Sequence, residues 1–193
     1  MLLPAVFYII WDSYFTSWAV WSFNETYIMG WYFFGLPLEE ILFFFVVPYC
    51  CVFIYECIRC YFPSISNEKW ALLFFKILAA LLLLSTIVFY QRAYTAYTAA
   101  FLTIGLLAYL LLRSKVPQLN AAVFLISYSV ILIPFLLVNG FLTAIPVVLY
   151  NNAENLGVRI YTIPVEDVFY GMLLILLNVI LYEFLRSKKP LLK

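Results

Sequence analysis

Histidine is absent from all 193 positions of this chain. That removes the usual ligands of di-iron desaturases and hydroxylases, the axial histidine of haem proteins and the commonest general base, so proton transfer falls to Asp, Glu, Tyr, Lys or Cys. Charge is scarce too, at 11% of residues with a net value of +1, which offers no electrostatic handle for nucleic acid or an acidic soluble partner. Six scattered glycines form no dinucleotide fingerprint, so neither a Rossmann-type domain nor a flavin or nicotinamide cofactor is expected. Residues 165–185 contain no lysine, which removes the Schiff base that a retinal photoreceptor needs. The first apolar run follows Met1 without a basic stretch and lacks a small-residue cleavage site, so no removable signal is expected. The four cysteines, Cys50, Cys51, Cys57 and Cys60, share one segment. Cys57 and Cys60 have the spacing of metal and redox pairs, yet with no second pair and no histidine a zinc site is incomplete, and all four read as packing residues.

What the chain does have is hydrocarbon: 67% hydrophobic and 21% aromatic residues, with a mean hydropathy of +1.04. This composition predicts an all-α, polytopic bundle in the cell membrane, a single domain. Runs of about 20 apolar residues match a hydrocarbon core of about 30 Å. Six such runs are read, at 2–20, 37–58, 70–90, 95–112, 119–145 and 165–185. The fifth is long and interrupted, and Pro134, Gly140 and Pro146 permit a kink or an early end near Asn139. Nine of the eleven basic residues fall on one side: Arg59, Lys69, Lys76, Arg113, Lys115, Arg186, Lys188, Lys189 and Lys193, against Arg92 and Arg159. Both termini are therefore expected in the cytoplasm.

Two acid motifs recur at an offset of 127 residues. Asn24, Gly30, Pro37-Leu38-Glu39-Glu40 and Tyr55-Glu56 match Asn151, Gly157, Pro164-Val165-Glu166-Asp167 and Tyr182-Glu183. Residues 12–56 and 139–183 share nine identities over 45 aligned positions, with 70–112 linking them. An even number of crossings separates the two, so they are expected to run in the same direction, related by a two-fold axis along the membrane normal. The same offset places the counterpart of 95–112 upstream of Met1.

Carboxylates in hydrocarbon cost several kcal/mol unless paired or functional. Glu39, Glu40, Glu166 and Asp167 stand at helix starts, where the prolines suit a first helical turn and the dipole favours negative charge. Neighbouring helix residues point about 100° apart, so one acid of each pair can face the interior. Asp12, beside Trp11, is a further acid; its counterpart Asn139 cannot titrate. Glu56 and Glu183 lie about 24 Å further along their helices and, with Arg59 and Arg186 three residues on, read as interfacial ion pairs. Most of the aromatics suit interfacial belts or packing. Trp11, Phe43, Phe44, Phe169 and Tyr170, close to the acids, are candidates for stabilising a cation with their ring faces.

The residues Trp11-Asp12, Phe23-Asn24, Tyr27, Gly30, Leu36 to Glu40, Phe43-Phe44 and Tyr55-Glu56 resemble the first block of the membrane-integral, flavin-independent lycopene cyclases. Tyr150-Asn151, Gly157, Arg159-Ile160, Ile163 to Asp167, Phe169-Tyr170 and Tyr182-Glu183 resemble the second block, fused here in one chain. The resemblance implies cyclisation of lycopene ends to β-ionone rings through γ-carotene to β-carotene, with a polyene substrate taken from the membrane lipid and other carotenoid enzymes as partners. It also implies a further hydrophobic helix before the first block, so that either translation starts further upstream or this member is shorter. Such cyclisation is redox-neutral and needs an acid, a base and a dry, cation-tolerant pocket; Glu39 or Glu40 and Glu166 or Asp167 are the candidates. A second reading is a non-catalytic isoprenoid-binding subunit that supports a membrane prenyltransferase or a long-chain carotenoid cyclase. A proton-coupled transporter ranks third, since the middle of spans three to six holds almost no ionisable group.

Overall fold

The computed structural model describes residues 1–65 and 67–188. Six long helices carry the fold: α1 (Leu2–Ser17), α2 (Leu38–Tyr61), α3 (Lys69–Val88), α4 (Ala93–Leu112), α5 (Ala121–Ala144) and α6 (Val165–Lys188). Five of them, α2 to α6, are long and apolar enough to cross a membrane. The first span, expected over 2–20, is shorter. α1 has 16 residues, about 24 Å at 1.5 Å per residue, and it stops at Ser17 because Ala19 takes a left-handed φ of 54° that turns the chain away.

The fifth span does not end early. α5 passes through Pro134 to Ala144, and Thr143 ties its last turn by donating its hydroxyl to the carbonyl of Asn139 at 2.8 Å. The stop falls at Ile145, the residue before Pro146, where the proline ring disfavours helical backbone. At its other end Asn120 caps α5, its side-chain oxygen accepting from the amides of Ala122 at 2.8 Å and Val123 at 3.2 Å.

Packing follows from apolar faces and small residues. α4 lies against α3 and α6, and α2 against α5 and α6. α4 comes so close to α6 that a Cβ on Gly105 would stand 2.7 Å from Leu173 Cδ1, the small-residue contact by which membrane helices approach without a hydrophobic driving force. Tyr8, Phe15, Phe44, Tyr55, Phe75 and Leu106 are among the fully buried core side chains. Of the cysteines only Cys51 is buried; Cys50 and Cys60 are exposed and Cys57 half-buried, so the segment read as packing turns two thiols outward.

Between the helices run short strands: β1 (Trp21–Phe23), β2 (Tyr32–Phe33), β3 (Leu36–Pro37), β4 (Val148–Tyr150), β5 (Arg159–Ile160) and β6 (Ile163–Pro164). β1 and β4 pair antiparallel, Trp21 with Tyr150, Ser22 with Leu149 and Phe23 with Val148. A shift of 127 residues carries Trp21 to Val148 and Phe23 to Tyr150, so this ladder is unchanged when its strands are exchanged. The amide of Asn24 donates to Val147 O at 2.9 Å, and that of Asn151 to Val20 O at 2.9 Å, the same bond in each direction.

The basic residues expected on one side gather at the ends of α2, α4 and α6 and the start of α3; Lys189 and Lys193 lie outside the described residues. The ion pairs there differ from expectation in partner. Arg59 does bond Glu56 on its own helix at 2.6 Å. It also reaches Glu183 at 3.3 Å, while Arg186 reaches back to Glu56 at 3.2 Å. Tyr55 donates its hydroxyl to the wholly buried Glu183 at 2.9 Å. The pairs thus cross between α2 and α6: Glu183 points into the bundle, where Arg59 of the neighbouring helix supplies its cation.

Candidate active site at the paired acid motifs

Each acid motif is assembled by the loop before it. Gly30 and Gly157 adopt left-handed φ of 78° and 73°, a region open to glycine at little cost. Asn24 and Asn151 then shape the turns, accepting from the amides of Thr26 at 3.1 Å and Ala153 at 3.0 Å. The hairpins β2–β3 and β5–β6 have two-residue turns whose first residues, Phe34 and Tyr161, hold φ of 55° and 60°. Bulky residues seldom sit there, and both occur at the same position of their motifs. Pro37 and Pro164 differ from expectation by one position. They close the hairpins as strand residues just ahead of the helices, Pro37 with φ −65° and ψ 151°, outside the first helical turn.

The hairpins fix which way each acid points. Glu39 turns back on the loop and accepts the amide of Met29 at 2.7 Å, and Glu166 accepts that of Leu156 at 2.7 Å. Glu166 also accepts the hydroxyl of Thr95 on α4 at 2.6 Å. One residue on, about 100° around the helix, Glu40 and Asp167 face the bundle interior. There they line one cavity of about 80 Å³ with Asp12, Tyr94, Asn139, Tyr150 and Tyr170, walled further by Trp21, Phe23, Phe43, Phe135, Leu142 and Val148.

Asp167 is the best-held group in it. Tyr94 donates to Oδ1 at 2.5 Å, while Asn139 and Tyr150 each donate to Oδ2 at 2.8 Å. Tyr150, in the strand outside the helices, has its phenol pushed well above the ordinary value by burial and then by the Asp167 charge, so it stays a donor. Three donors on two oxygens suit an acceptor-only, ionised carboxylate. Asp12 is different. It is buried, takes one bond from Tyr170 at 3.2 Å, and its Oδ2 has no partner. An ionised carboxylate so poorly solvated would be costly, whereas the neutral acid is tolerated.

The sequence candidates therefore separate. Glu40, Asp167, Asp12, Phe43 and Tyr170 meet at the cavity. Glu39 and Glu166 serve their loops. Trp11 stands behind Tyr170, ring centroids 4.9 Å apart; Phe44 is buried against Tyr8, and Phe169 is half-buried in the core. Sequence reasoning missed Tyr94 and Thr95, which come from α4, outside both acid motifs, where a Tyr-Thr step at the start of an apolar helix is an ordinary pattern.

The arrangement can do proton chemistry on something apolar: three carboxyl groups, three phenols and the Asn139 amide share a small cavity whose other walls are aromatic or aliphatic. No curated protein and no solved structure matches the chain. A family model described as lycopene cyclase does match, over residues 1–58 and 91–185. Those residues include every group lining the cavity, and the chain belongs to the lycopene cyclase family.

Proposed function

We propose that this protein cyclises the linear ends of lycopene to β-ionone rings by acid–base catalysis, without a redox step. A protonated carboxyl, Asp12 or Glu40, gives its proton to C2 of the terminal double bond, leaving a cation at C1. The C5–C6 double bond attacks, so that C6 bonds to C1 and the charge moves to C5. Asp167 then takes the proton from C6, and the C5–C6 double bond re-forms. Atoms and electrons balance, and one proton enters as one leaves.

The observation that carries this reading is the unequal solvation of the two carboxylates. Asp167 has three donors, Asp12 has one and an unpartnered oxygen, which separates a base from an acid in one cavity. The rings of Phe43 and Tyr170 supply quadrupoles for the C1 and C5 cations. Glu39 and Glu166, first in their motifs, are positioning residues that hold the loops.

Two structural readings accompany this one. We take 12–56 and 139–183 as repeats whose second acids meet across a local two-fold, supported by the hydrogen bonds that recur at the 127-residue offset. We also place the basic ends of α2 and α6, with Arg59, Arg186 and Lys188, in the cytoplasm, supported by the gathering of basic residues there.

The test is expression in a lycopene-accumulating host with pigment chromatography. The wild type gives cyclic carotenoid. Asp12→Asn, Glu40→Gln and Asp167→Asn are each assayed, with at least one acid variant and Asp167→Asn falling by about 10²- to 10⁴-fold, the range for lost general acid–base catalysis. Undiminished cyclic product in all three rejects the mechanism. A scaffold without chemistry of its own would leave lycopene acyclic when this chain is expressed alone.

A further inference from the structure

The walls of the acid cavity are unequal. On the side of α1 and α6 stand Tyr8, Phe15 and Trp21, exposed by only 0%, 1% and 5%. They close on Tyr170 and on one another, with ring centroids 4.8 Å apart for Tyr8–Tyr170, 5.1 Å for Phe15–Trp21 and 6.1 Å for Trp21–Tyr170. A shift of 127 residues turns those three positions into Phe135, Leu142 and Val148. These line the cavity on the side of α2 and α5, and all three are half-buried. Phenylalanine has become leucine and tryptophan has become valine, so the same wall is thinner where α2 meets α5.

We propose that the seam between α2 and α5, where half-buried Phe43, Leu142 and Val148 line the cavity, is the mouth through which an acyclic isoprenoid end enters from the bilayer, one end per visit. This rests on the cyclisation proposed above. A cavity of about 80 Å³ has room for a handful of waters and is far too small for a whole C40 chain, so most of the polyene stays outside. The α5 face carries exposed Ile133, Leu137 and Val138, an apolar surface that a hydrocarbon can lie along. The far end of the substrate finds no second acid chamber among the described residues. Glu56 and Glu183, about 24 Å along the helices from Glu40 and Asp167, are committed to Arg59 and Arg186. A two-ended polyene must therefore leave after the first ring and return reversed.

Val148→Trp and Leu142→Phe copy the closed wall onto the open one. Each is expected to lower lycopene conversion at least ~10-fold, and, combined with Glu40→Gln, to abolish the lycopene that copurifies with Glu40→Gln alone. Ile87→Trp, on the exposed face of α3, controls for added bulk and leaves conversion unchanged. A pulse–chase on the wild type needs no variant: labelled lycopene followed by excess unlabelled lycopene yields labelled monocyclic carotenoid and little labelled bicyclic product. Wild-type conversion by both filled variants overturns the mouth, and labelled bicyclic product unaffected by the chase overturns the release step. A wild type that makes no cyclic product instead overturns the cyclisation itself.

Discussion

At the residue scale the decisive feature is that one carboxylate is surrounded by donors. The hydroxyl of Tyr94, 2.5 Å from Asp167, reaches it from a helix that belongs to neither acid motif. Hydrogen bonds to a charged group are worth about 1.5–3 kcal/mol, so Tyr94→Phe is expected to slow cyclisation by about 10- to 100-fold while leaving the helical content by circular dichroism intact. Amide substitutions discriminate between the acids of each motif. At Glu39 and Glu166 a glutamine keeps a carbonyl oxygen for the Met29 and Leu156 amides, so Glu39→Gln and Glu166→Gln are expected to retain most activity. Glu166→Ala, which leaves the Leu156 amide without its acceptor, is expected to lose it. Initial rates from pigment analysis separate these outcomes, and equal losses for Glu166→Gln and Asp167→Asn would contradict the division of labour.

At the scale of elements, two loops and one helix contact set the site. Gly157 has open space around a hypothetical Cβ, so its φ of 73° is the sole obstacle to a side chain. Gly157→Val is expected to cost about 1–2 kcal/mol for the left-handed backbone, read as a lower melting temperature in detergent together with weakened activity. At Gly105 the obstacle is space. A Cβ would meet only the flexible end of Leu173 at 2.7 Å, so Gly105→Ala is tolerated after a small rotation. Gly105→Leu is expected to push α4 from α6 and draw Tyr94 and Thr95 off their acids, abolishing activity in a protein that still inserts. The elements themselves were legible from the sequence because apolar runs of about 20 residues leave the backbone no alternative to helix in lipid. Their ends were less so: α5, read over 119–145, runs from Ala121 to Ala144 without the early end permitted near Asn139, but α1 stops three residues before its expected limit of residue 20, because caps and left-handed turns decide ends while hydropathy does not.

At the scale of the whole molecule, α2 and α6 are joined at one end by the acid cavity and at the other by crossed ion pairs. Removing one partner of a buried pair typically costs about 3–5 kcal/mol, because the remaining charge stays buried. Arg59→Ala strands Glu183, whose only other bond among the described residues is from Tyr55 at 2.9 Å, so a loss of that order in stability is expected. Denaturation in detergent measures it, and activity per folded molecule should be unchanged. This cluster and the cavity share a design, with equivalent residues of the two motifs meeting partners across α2 and α6.

The sequence alone determined the membrane-helical class, the paired motifs and the short list of acids, because composition, spacing and charge placement are written residue by residue. It could not say which acid of each pair faces inward, since that depends on which backbone amide the other one catches. Nor could it supply Tyr94 or the difference between a fully buried and a half-buried wall. Those arise only when α4 packs on α6 and when positions 127 residues apart are brought to opposite sides of a single cavity, contacts that no local pattern encodes.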